Sequence, residues 1–187
     1  MSLVRQVLEF WFGAPGSAEF GQRRQFWFVM DPEFDARIQS QFGKEFEIAA
    51  DGGHDSLADT AEGALALIIM LDQFPRNMFR GSARAFATDP KALALARSAI
   101  AAGHDREFNL VQRCFVYLPF EHSEDIADQD ESVRLFEALG DADYIDYAVR
   151  HRDIIAQFGR FPHRNAVLGR DSSAAETAFL KKPESSF

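Results

Sequence analysis

The sequence predicts an all-α protein, and three observations carry that expectation. The chain is punctuated as helices are: Asp31-Pro32-Glu33 and Asp89-Pro90-Lys91 each set a side-chain acceptor before a proline at the first helical position, and Ser173-Ala174-Ala175-Glu176 has the spacing of a capping box. Apolar residues recur with a period near 3.6, and the alternation that marks strands is almost absent. Gly103, Gly140 and Gly159 follow periodic segments, where a residue free to adopt positive φ ends a helix.

These signals predict helices over 3–12, 22–30, 32–50, 59–73, 90–102, 107–117, 124–139, 142–158 and 174–181. The first is an apolar segment broken by Gln6 and Glu9, and the second carries Phe26-Trp27-Phe28. In the third, Phe34, Ile38, Phe42 and Phe46 fall at four-residue steps on one face. The fourth is apolar on most faces from Ala61 to Leu71, with Ala and Gly63 allowing close approach, so it is expected at the centre of the core. Ala85-Phe86-Ala87-Thr88-Asp89-Pro90 followed by Ala92, Leu93 and Ala96 of the fifth has a tetratricopeptide-like pattern. Ser123 is placed to cap the seventh, which puts Glu124 and Asp125 in its first turn, where the helix dipole favours carboxylates. In the eighth, Tyr144, Tyr147, Ile154, Ile155 and Phe158 make one stripe. Short turns between such helices imply antiparallel hairpins, read as a tetratricopeptide-like array of divergent repeats around the central helix. No low-complexity linker splits the chain, so residues 1–187 are expected to form a single domain.

Bulk properties narrow the function classes. A chain of 187 residues can bury roughly 70% of its unfolded surface. Nineteen Phe imply an aromatic-rich interior, each fully buried one contributing on the order of 1.5–3 kcal/mol. A net charge of −9 with no basic block argues against a nucleic-acid or anionic-membrane partner, because phosphate neutralisation dominates such binding. The one cysteine, Cys114, lies in an apolar run, so no intrachain disulfide forms and a buried thiol is expected. The start of the chain has no cleavage signal and the longest apolar stretch is too short to cross a bilayer, so a cytoplasmic protein is expected.

One corner is used twice: Leu71-Asp72-Gln73-Phe74-Pro75-Arg76-Asn77, and Phe158-Gly159-Arg160-Phe161-Pro162-His163-Arg164-Asn165. In each, the proline is expected to stop a helix, the preceding aromatic to anchor in the core, and the following Arg and Asn to be fixed in space. Together with Arg80-Gly81, Ala85-Phe86-Ala87-Thr88-Asp89, Leu118-Pro119-Phe120-Glu121-His122-Ser123-Glu124-Asp125 and Leu168-Gly169-Arg170, these corners resemble the signature of the bacterial domain-of-unknown-function family 924. The resemblance spans about residues 3 to 181 and implies an all-α, tetratricopeptide-like fold, with no established activity to transfer. Leu57 stands where the family tends to have tryptophan, and Ala174-Ala175 where it tends to have Pro-Glu.

Two functional readings follow from the residues. In a binding module, Arg76, Asn77, Arg80, His163, Arg164 and Asn165 line a polar region whose guanidinium forks recognise a small anion or a carboxylate-bearing peptide. In a hydrolase-type enzyme, Glu121 with His122 or His151 supplies acid and base, and Glu121, His122 and Asp125 are candidate metal ligands. Against both stands a structural role, in which the arginines, Arg160 included, pair with Asp72, Glu121, Glu124 or Asp125 and pin helix ends together. No nucleotide-cofactor motif, Gly-x-Ser-x-Gly or phosphate loop is present. His54, between Gly52-Gly53 and Asp55, is expected to face solvent, and the aromatics at Trp11-Phe12 and Phe26-Trp27-Phe28 are read as core rather than as a partner groove.

Overall fold

Caps and prolines place most of the helices in the computed structural model, which describes residues 1–27, 29–183 and 185. All regular structure among these residues is helical. Ser2 caps α1 (Leu3–Phe12), Asp31 caps α2 (Pro32–Ala50) by accepting from the amides of Glu33 and Phe34, and Thr60 caps α3 (Ala61–Ile68). There follow α4 (Phe74–Met78), α5 (Asp89–Ala101), α6 (Leu110–Glu121), α7 (Ile126–Leu139), α8 (Ala142–Phe158) and α9 (Ala174–Phe179), the last with its capping box formed. No helix among the described residues is long and apolar enough to cross a membrane.

Four local expectations are corrected. Pro75 does not stop its helix: α3 runs through a π-helical turn, Ile69–Gln73, directly into α4. Proline lacks the N–H that would bond Leu71 O, and that carbonyl instead accepts from the Thr88 hydroxyl, while Asp72 O accepts from Arg76. Asp89 does not cap α5, because its carboxylate is drawn to Arg76. Ser123 is not the cap of α7. Asp125 is, and Ser123 Oγ donates to Asp128 and accepts from the Asp125 amide. Over 22–30 only a 3₁₀ turn, Gln25–Trp27, forms; the indole of Trp27 donates to Trp11 O at 3.1 Å, so tertiary anchoring prevails over local helicity. Phe28 lies outside the described residues.

The chain divides into two compact units, Met1–Arg80 with Arg84–Pro119, and Gly81–Ala83 with the chain from Phe120 onward. The division falls within α6, after Pro119. In the first unit, α3 and its π turn are buried from Ala64 to Gln73, as the apolar pattern predicts. Gly63 is demanded there by close approach: a Cβ would lie 1.9 Å from Leu57 O. Trp11, Phe34, Phe42, Phe74 and Phe115 form a contiguous aromatic core around this helix, and Cys114 is buried and in no disulfide among the described residues. His54 is half-buried and meets Glu45 at 2.8 Å rather than facing solvent. In the second unit, α7 and α8 form a hairpin turned at Gly140, and Ile154, Ile155 and Phe161 make a small apolar cluster with Phe158 and Phe179.

Candidate functional site

The first corner is a carboxylate-arginine lattice inside the first unit. The Arg76 guanidinium takes Asp89 bidentately at 2.7 and 2.9 Å, reaches Asp72 O at 2.6 Å, and lies 3.3 Å from the fully buried Asp72 carboxylate. Burial alone would lower its pKa, but Asp72 and Asp89 outweigh burial and hold the guanidinium above its usual value. Asn77 Nδ2 donates to Gln73 O at 3.0 Å, and its Oδ1 accepts from Arg80, whose fork also takes Asp35 of α2 at 2.6 and 3.1 Å. Arg76, Asn77 and Arg80 therefore bind the π turn to α5 and α2.

In the second unit, Gly159 adopts φ +67° and ends α8, returning its N–H to Ile155 O, and the chain turns through Phe161 and Pro162. Glu124 accepts the Phe161 amide at 2.8 Å and the fork of Arg170 at 2.6 and 3.0 Å. Those hydrogen bonds overcome burial and hold its carboxyl below the usual range. Asn165 accepts from Arg170 and donates to Ser172 and Glu176, while Arg160 takes Glu176 at 2.7 and 2.9 Å. The Arg160 pairing, aided by the Ser173 amide, keeps Glu176 ionised far below the ordinary carboxylate range.

Beside this lattice the structure brings together the acid-base candidates. His151, on the buried face of α8, donates from Nδ1 to Tyr147 O at 2.8 Å, and the same nitrogen lies 3.4 Å from Glu121 Oε1. Both residues are nearly sealed, at 4% and 5% exposure. Burial, reinforced by the charges of His122, Arg164 and His163 and opposed by the Tyr147 carbonyl, lowers the His151 pKa to about 3. The imidazole is neutral at physiological pH, with its proton on Nδ1.

Phe161 organises the surroundings: its ring meets those of His151 and His163 at 5.6 Å each, and the Arg164 guanidinium stacks on it at 4.6 Å. Arg164 is only 6% exposed, whereas His122 and His163 are half-buried and form the accessible margin. The backbone carrying Glu121 is gripped by Gln129, whose Nε2 donates to the carbonyls of Glu121 and Ser123 at 2.7 and 2.6 Å. Asp125 is exposed, and its Oδ1 accepts the Ala127 amide. No group of three or more His, Cys, Asp or Glu is arranged to hold a metal among the described residues.

The two corners thus belong to different units. Sequence reasoning named Glu121, His122, His151, His163 and Arg164, and all five fall in the second unit. It missed Gln129, Arg170 and Glu176 as organisers. Arg170 stood in a quoted motif; Gln129 carried no signal beyond being a polar residue within the predicted helix 124–139.

The comparisons agree with this architecture. The sequence profile described as bacterial protein of unknown function (DUF924) matches residues 7–184. A solved structure of a protein of unknown function, ATU0120 from Agrobacterium tumefaciens, is 41% identical, covers 96% of this chain and 97% of its own, and superposes with a TM-score of 0.86. No curated protein matches. With the profile extending over nearly the whole chain and the all-helical fold shared with that relative, the protein belongs to the bacterial DUF924 family.

Proposed function

We propose that the second unit binds a small anion or the carboxylate of a peptide, with Arg164 supplying the positive charge and His163 and His122 the accessible hydrogen-bonding margin. The observation that carries this reading is the cluster of three imidazoles, a carboxylate and a guanidinium beside one turn of chain. Burying Glu121, His151 and Arg164 costs several kcal/mol against an apolar core, and a ligand that uses them gives that cost a purpose. The first corner is assigned a different role, since Arg76 and Arg80 are already saturated by carboxylates of their own unit. A cytoplasmic, tetratricopeptide-like binding protein is the setting this reading assumes.

A second reading is favoured by the 3.4 Å contact between Glu121 and His151. That spacing places Glu121 beside the neutral His151 ring, whose Nδ1–H goes to Tyr147 O, so Glu121 can serve as a general base next to an uncharged imidazole. With a pKa near 3, His151 does not exchange protons itself at neutral pH. The enzyme would act as a hydrolase on an anionic substrate held by Arg164.

Calorimetry with phosphate, succinate and a short C-terminal peptide tests the first reading. Saturable binding by one of them, weakened at least tenfold in Arg164→Gln and in His163→Gln, supports it; equal affinity in both variants refutes it. For the second, hydrolysis of 4-nitrophenyl esters and phosphates by the parent should fall at least a hundredfold in Glu121→Gln, and an unchanged rate would remove Glu121 from the chemistry.

A further inference from the structure

The first unit contains a cavity of about 670 Å³ between the end of α1, the loop before α2 and the first turns of α2. That volume lies within the range of small-molecule sites. One wall is aromatic: Phe10 stacks on Phe34 at 5.3 Å, and Phe34 meets Phe26 at 4.3 Å. Phe10 and Phe26 are only half-buried, so apolar surface is left facing the space. A guanidinium stands at each end of this row, Arg37 at 5.2 Å from the Phe10 ring and Arg24 at 5.2 Å from the Phe26 ring.

Charge in the lining is unevenly committed. Glu19 pairs with Arg24, which also donates to Trp11 O, and Asp31 is occupied as the cap of α2. Arg37, by contrast, makes no ion pair among the described residues, although Glu33 lies one turn away on the same helix. An arginine fork without a carboxylate, in a chain of net charge −9, next to an apolar wall, suits a ligand with a flat apolar body and one carboxylate.

We propose that this cavity binds a small aromatic carboxylate, its ring against the half-buried Phe10 and Phe26 and its carboxylate on the fork of Arg37. The site is separate from the cluster of the second unit, and its occupancy does not depend on that cluster's function.

Titration calorimetry of the full chain with phenylacetate tests the assignment, beside the uncharged isostere phenylacetamide. Phenylacetate is expected to bind saturably, at least tenfold more tightly than phenylacetamide, and to lose at least tenfold in affinity in Arg37→Gln. Arg37 is exposed, so that variant retains the fold. Arg106→Gln, an exposed arginine of the same unit outside the cavity, and His163→Gln in the second unit should bind as the parent does. Absence of saturable binding up to the solubility limit, equal binding of the amide, or an unchanged Arg37→Gln would each overturn the proposal.

Discussion

His151 is ionisable, yet its surroundings keep it neutral until the pH is far below the normal imidazole range. Its folded pKa is near 3 against about 6.5 in an unfolded chain, so between those limits the unfolded state binds more protons. Stability contributed by the neutral buried ring is therefore complete above about pH 6.5 and is lost as pH falls, by roughly 1.4 kcal/mol per unit through the window. Glu124 and Glu176, with depressed pKa values, also lose stability as pH falls, so the limb is steep from more than one cause. His151→Asn should flatten thermal stability between about pH 3 and 6.5 while Glu124 and Glu176 still contribute; an unaltered slope would show that His151 titrates normally. At the first corner, Arg76→Met should destabilise by about 3 kcal/mol because it removes the guanidinium that lies beside the buried Asp72 carboxylate, and adding Asp72→Asn should recover part of that loss in chemical denaturation.

Helix junctions show which local rules held. Glycines at Gly140 and Gly159 and caps at Asp31 and Ser173 were legible because each depends on residues within one turn. The π turn before Pro75 was not, since what stabilises it, Thr88 and Asp89, arrives from a later segment. Thr88→Val should cost about 1–3 kcal/mol by leaving Leu71 O without its hydroxyl donor. The two glycines most open to test have opposite reasons. Gly159→Ala meets open space and loses only the left-handed backbone preference, about 1–2 kcal/mol. Gly63→Ala drives a methyl into the Leu57 carbonyl and should cost more than Gly159→Ala in the same urea titration; equal costs would mean that the 55–59 turn moves aside without penalty.

Across the whole molecule, fold class was readable from periodicity and punctuation, and the polar motifs were found before their partners were known. The partners were not readable, because Glu124 with Arg170, Arg160 with Glu176, and Arg80 with Asp35 join positions far apart in the chain. Arg76, Arg80, Arg160 and Arg170 pair with carboxylates of their own unit, and the function proposed above rests on Glu121, His151 and Arg164 with their imidazole margin. The most direct test of that assignment is NMR of the imidazole nitrogens in ¹⁵N-histidine-labelled protein, titrated with pH and then with phosphate and succinate. The account predicts that His151 stays neutral, with its proton on Nδ1, to below about pH 4, and that one of the anions shifts His163 and His122 saturably. A His151 that titrates near pH 6.5, together with imidazoles indifferent to both anions, would contradict it.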